Sequence, residues 1–115
     1  MLPEDDLTRL RHMLDAGNDA IRFAAGRQRA DLDTDRMLLL SLLKCIEIVG
    51  EAASRVASET QAGLPKLPWR DIIGMRHRLI HAYYDVDHNL VWDTVEQDLP
   101  GLIDALRECL PDTHE

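Results

Sequence analysis

Apolar residues in this chain recur every three or four positions rather than every second one, the period of helices that each bury one face. Leu7, Leu10, Leu14, Ile21 and Ala24 form the first such stripe, with Pro3 near its start and Gly26 as a C-terminal stop. Arg27 to Asp33 is a polar connection, and Asp33 or Thr34 can cap a second helix by accepting hydrogen bonds from its unpaired amides. That helix is expected to run to about Ser58. Between Met37 and Val49 it is apolar round most of its circumference, through Leu38, Leu39, Leu42, Leu43, Cys45, Ile46 and Val49. A helix of that kind is buried on more than one side. In a chain this short the second side points to a partner subunit. Lys44, Glu47, Glu51 and Arg55 fall at spacings of three and four, where opposite charges can pair, and read as a solvent edge.

Gly63, Pro65 and Pro68 break the pattern, and Pro68 suits the first turn of a third helix that begins near Trp69. Ile72, Met75, Leu79 and Ile80 give this helix its apolar face. Asp85 to Asn89 is the next polar break. Val91, Val95, Leu99, Leu102, Ile103, Leu106 and Leu110 then mark a fourth helix. Pro100 lacks an amide hydrogen and collides with the preceding turn, so it should kink this helix or split it. The pattern predicts an all-α bundle of four to five helices.

Length and composition narrow this picture. A chain of 115 residues has room for one domain, 1–115, with a modest core. Met37 to Val49 is interrupted by Ser41, Lys44 and Glu47 and falls well short of the roughly 20 apolar residues of a membrane span. The opening Met-Leu-Pro-Glu-Asp-Asp is acidic where a secretory signal is basic, so a soluble cytoplasmic protein is expected. Cys45 and Cys109 lie too far apart for a metal-site or disulfide pattern and read as buried, reduced thiols. The net charge of −8 argues against general nucleic-acid binding, which depends on neutralising phosphates. Its distribution is uneven. Residues 85–115 hold nine acids against Arg107, whereas residues 1–84 balance at 12 acids and 12 bases. Arg70, Arg76 and Arg78, with His77 and His81, leave a local basic site possible on an acidic protein.

Most of the groups able to do chemistry crowd into Met75 to Tyr84, where Arg76, His81 and Tyr83 form the pattern R-x4-H-x-Y. A permanently charged guanidinium suits phosphate oxygens, and an imidazole can carry protons near neutral pH. Together they suggest phosphodiester chemistry. On an ideal helix His81 stands about 140° round from Arg76, and Tyr83 almost directly above Arg76 if the helix persists that far. Arg76 and His81 can therefore converge only through long side chains, a helix that ends near His81, or contributions from two subunits. His77 and His81 have the i, i+4 spacing of some helical metal ligands, but no third ligand accompanies them. No metal and no cofactor is expected.

Several ordered segments resemble one known family. They are Ile48-Val49-Gly50-Glu51-Ala52-Ala53, Leu67-Pro68-Trp69-Arg70-Asp71-Ile72-Ile73-Gly74-Met75-Arg76, His81-Ala82-Tyr83, Val91-Trp92-Asp93-Thr94-Val95 and Asp98-Leu99-Pro100. The chain is similar to the HEPN domains, and specifically to the HepT-like toxins encoded beside a minimal nucleotidyltransferase antitoxin of the MntA type. The resemblance implies a helical bundle in a two-fold homodimer, with the R-x4-H residues of both subunits gathered in the cleft between them. It implies a metal-independent endoribonuclease, the toxin of a type VII-like toxin–antitoxin pair, with Arg76 and His81 catalytic. His77 and Arg78 would support substrate binding. Tyr83 matches the tyrosine to which the partner transfers AMP to silence the toxin. The chain departs from many relatives in carrying His77 where they have asparagine and Ala82 where they have glycine. The alternative from another class is a noncatalytic helical dimer that binds a nucleotidyltransferase partner, a contact that the acidic C-terminal third suits.

Overall fold

The computed structural model describes residues 2–82 and 85–111, with His81 and Ala82 by backbone alone. Four long helical elements enclose the core. These are α1 (Glu4–Ala24), α3 (Arg36–Ser54), α5 (Trp69–Leu79) and a helical rod that joins α6 (His88–Asp93) to α7 (Leu99–Cys109). Two short helices, α2 (Asp31–Thr34) and α4 (Ser58–Gly63), serve as connections. Strands β1 (Ile80–Ala82) and β2 (Asp85–Val86) pair antiparallel between α5 and α6.

The three-and-four spacing becomes a single core. Leu10 and Met13 of α1, Leu42, Ile46 and Val49 of α3, Ile72 and Leu79 of α5, and Val91, Val95, Leu99 and Leu106 of the last rod are all buried in it. α3 is the central helix and packs against both α1 and α5. Gly50 sets the second of these contacts. A Cβ there would stand 3.2 Å from the backbone oxygen of Ile72, so the missing side chain lets the two backbones approach. Gly26, with φ of 75°, turns the chain just after α1, as the sequence predicts.

Several boundaries differ from those expected. α3 is capped by Asp35, whose carboxylate accepts from the Leu38 amide at 3.1 Å, while Asp33 and Thr34 fall inside α2. α3 also stops at Ser54, and a separate α4 follows. A long-range polar contact holds α4: the buried Asp6 carboxylate accepts from the Ala57 amide at 3.2 Å and from the Thr60 hydroxyl. Pro68 caps α5 from outside instead of entering its first turn. The break at Pro100 takes the form of a π turn over Thr94–Asp98, with the Leu99 amide donating back to Thr94. Widening the helix there accommodates a ring that would otherwise strike the carbonyl four residues earlier. Among the described residues no helix is long and apolar enough to cross a membrane.

The hairpin is the largest departure from the expected helices. Ile80, assigned by its spacing to the apolar face of the third helix, instead has extended backbone with φ −120° and ψ 109°. Ile80 and Val86 are β-branched, strand-favouring types that pair with each other, and here they outweigh the helical spacing. The Asp87 amide donates to the Leu79 carbonyl at 2.7 Å and closes the hairpin against the end of α5.

Candidate active site

The last turn of α5 collects Arg76, His77 and Arg78. Cations there face the negative end of the helix macrodipole, a favourable position that needs no ligand to explain it. What distinguishes Arg76 is its partner. Its Nε donates to Glu47 Oε2 on α3 at 2.8 Å, while Lys44 Nζ stands 3.4 Å from the other oxygen, Oε1. The packing accounts for this pair. α3 and α5 approach backbone to backbone where Gly50 meets Ile72, and one turn from there, in opposite chain directions, come Glu47 and Arg76. The two side chains are 46% and 35% exposed, so solvent screening leaves the pair little weight in stability. Its consequence is orientation. With Nε held, the two terminal nitrogens of Arg76 have no partner among the described residues and can donate side by side to an anion.

His81 is not on the helix at all. It lies in β1 at an irregular register, since Ile80 pairs with Val86 and Ala82 with Asp85, which makes His81 the extra residue of a bulge. The 140° separation expected of a continuous helix therefore does not apply, and neither does the helical i, i+4 relation between His77 and His81. The phase that would put Tyr83 above Arg76 fails for the same reason, because α5 ends at Leu79. The His81 side chain, Tyr83 and Tyr84 lie outside the described residues.

The supporting residues disperse. Arg78 points away from Arg76, as a step of two residues, roughly 200°, requires. Its Nη1 donates to the Asp71 carbonyl at 3.2 Å, and it lines a cavity of about 550 Å³ shared with Lys66 and Asp98. His77 is exposed. Arg76 borders a different cavity, of about 320 Å³, between α3, the hairpin and the start of α6. A polar clamp fixes the far side of that hairpin. His88 Nδ1 is 2.8 Å from Asp33 Oδ1, Arg29 Nη1 donates to the same oxygen at 3.0 Å, and Arg29 Nε donates to Asn89. The bond to His88, and then that to Arg29, holds the Asp33 carboxyl below the usual range. The clamp ties α2 to the first residues of α6, directly after the segment that carries His81.

Both cysteines are free, Cys45 buried and Cys109 half-buried. Burial, with a smaller contribution from Asp19, pushes the Cys45 thiol up to about 11, and burial also raises Cys109. Neither is poised as a thiolate. Glu47 is the site residue that the sequence pattern misses. The Lys44–Glu47 and Glu51–Arg55 pairs form as their spacing predicts, at 3.4 and 3.3 Å, but Glu47 also faces α5. Nothing in a helical charge stripe announces a partner 29 residues away.

The family model described as "Ribonuclease HepT-like" matches residues 13–109. The chain is 32% identical over 101 residues to RNase TTE0752 of Caldanaerobacter subterraneus subsp. tengcongensis, a ribonuclease by inference, across 88% of this chain and 90% of that protein. It is 30% identical over 90 residues to RNase MJ1380 of Methanocaldococcus jannaschii, likewise a ribonuclease by inference, across 78% and 83% of the two. The probable ribonuclease HepT of Thermococcus cleftensis is 36% identical over 72 residues, across 63% of this chain and 66% of that one. No solved structure matches the chain.

Proposed function

The chain belongs to the HepT-like ribonuclease family, and we propose that it is a metal-independent endoribonuclease that works as the toxin of a toxin–antitoxin pair. The observation that carries this reading is the presentation of Arg76, anchored at Nε with its terminal nitrogens free, five residues before a histidine on a bulged strand. In the proposed reaction the RNA 2′-hydroxyl attacks the adjacent phosphorus and loses its proton to a general base. A new O2′–P bond forms, the P–O5′ bond breaks, and the leaving oxygen takes a proton from a general acid. The products are a 2′,3′-cyclic phosphate and a free 5′-hydroxyl. DNA lacks the nucleophile and is spared. His81 supplies one of the proton transfers, a role typically worth about 10²- to 10⁴-fold in rate. Arg76 grips the nonbridging oxygens and stabilises the charge that develops on them.

The reading takes residues 1–115 as a single domain that acts as a two-fold homodimer. Met37, Leu40 and Ile48 on α3 and Ile73 on α5 are large apolar residues left 37–80% exposed, and the first three recur at helical spacing on one side of α3. A partner covering that stripe would bring two copies of Arg76 close to one cleft. Regulation in this reading is AMP transfer to Tyr83 by a nucleotidyltransferase antitoxin, which would add a phosphate two residues after His81 in the sequence. Cleavage of RNA by the purified protein tests the activity: Arg76→Ala should lose it, and Arg76→Lys should retain little, because a point charge does not reproduce a bidentate fork. Peptide mass spectrometry after incubation with ATP and the partner tests the regulation. An adduct on Tyr83 is expected, and one on Tyr84 alone would refute it.

A further inference from the structure

Arg36 has no evident structural task. It is the first residue of α3, where a cation faces the positive end of the helix macrodipole, and its exposed side chain has no counterion among the described residues. Its neighbour Asp35 is already engaged by Arg27 at 2.7 Å. Arg36 does line the cavity of about 320 Å³ that Arg76 also borders. Leu39, Leu40 and Leu43, which follow Arg36 along α3 before Glu47, line the same cavity with apolar surface, and Asp85 lines it from the hairpin. From Arg36 to Glu47, the residue that holds Arg76, α3 rises about 16 Å, long enough for a nucleotide to lie along it.

Two arginines and an apolar wall in one cavity match the chemistry of a nucleotide, with charge at its phosphates and a flat, weakly polar base. The volume falls at the small end of ligand pockets, which suits one nucleotide unit and no more. We propose that this cavity is a subsite for the nucleotide next to the bond that is cut, with Arg36 binding its phosphate, Leu39 and Leu43 its base, and Asp85 accepting from its ribose hydroxyls. The proposal rests on the ribonuclease reading of Arg76 and extends it to a residue outside the R-x4-H pattern. A free mononucleotide and a strand of RNA present the same group, and the subsite is assigned to the strand.

The test is calorimetric titration of cytidine and adenosine 5′-monophosphates into the full-length protein, its Arg36→Gln variant and Val86→Trp, which fills the cavity without removing a charge. Inorganic phosphate, the bare nucleosides and the 2′-deoxy monophosphates serve as comparison ligands. The intact ribonucleotides should bind most tightly, and Arg36→Gln should weaken them about tenfold, the loss of one charge-assisted contact. In a His81→Ala background, where RNA is bound and not cut, an RNA oligonucleotide should displace the mononucleotide. Binding indifferent to both substitutions overturns the subsite, and so does a mononucleotide that saturating RNA leaves in place. Cleavage by the wild type without such binding removes the subsite and keeps the ribonuclease. Binding without cleavage leaves a nucleotide-binding cavity but overturns the ribonuclease, and with it the subsite's place beside a cut bond.

Discussion

Glu47 holds the Arg76 Nε, and in the proposed reaction that contact sets how the guanidinium meets a phosphate. Glu47→Ala should lower kcat by about 10²-fold, the order expected when a reacting group is displaced by roughly an ångström, without raising KM, because a negative charge near the phosphate is removed as well. Glu47→Gln should lose less, since its amide oxygen still accepts from the arginine Nε. Steady-state kinetics on one RNA decides this, and an unchanged kcat in Glu47→Ala would remove the residue from the mechanism. The candidate pair Arg76 and His81 is legible from residue type and spacing. Glu47 is not, because a carboxylate in a charged helical stripe looks the same whether it faces water or another helix. Arg78 shows the opposite failure: adjacency in sequence suggests a shared site, yet the helix turns it into a different cavity.

The long helices follow directly from the three-and-four spacing, because the free energy of burying an apolar stripe exceeds local preferences. The boundaries are less legible. Asp33, Thr34 and Asp35 are all competent caps, and only the three-dimensional course of α2 selects Asp35. The hairpin is hidden because Leu79 and Ile80 continue the helical pattern for one step beyond the point where the strand-forming residues take over. Its position depends on the clamp between Asp33, His88 and Arg29. A carboxyl whose folded pKa lies below its unfolded value of about 4 contributes stability that is present above that value and lost as pH falls through the lowered one. Asp33→Asn should therefore flatten the decline of the melting temperature on acidification below about pH 4. Equal acid slopes in the variant and the wild type would show that the clamp does not persist in solution.

At the scale of the whole molecule, the exposed apolar stripe on α3 and the one Arg76 that each chain brings to the R-x4-H pattern are the grounds for the proposed dimer. Light scattering at micromolar concentration should report a dimer, and Leu40→Glu, which puts a charge on the stripe, should yield a folded monomer with little activity. A wild-type monomer of unperturbed fold would sink the shared cleft. The surplus of apolar surface on the second long helix is legible in the sequence as a count of leucines, whereas the shape of the cavity that it borders is not, since that depends on a hairpin the pattern conceals. The most direct measurement is cleavage of RNA by the purified wild type and by His81→Ala, both with chelator present, followed by analysis of the product ends. The wild type should cut and leave a 2′,3′-cyclic phosphate, while His81→Ala, still helical and dimeric, should leave the RNA intact. Wild-type cleavage abolished by chelator, or undiminished cleavage by His81→Ala, would contradict the account.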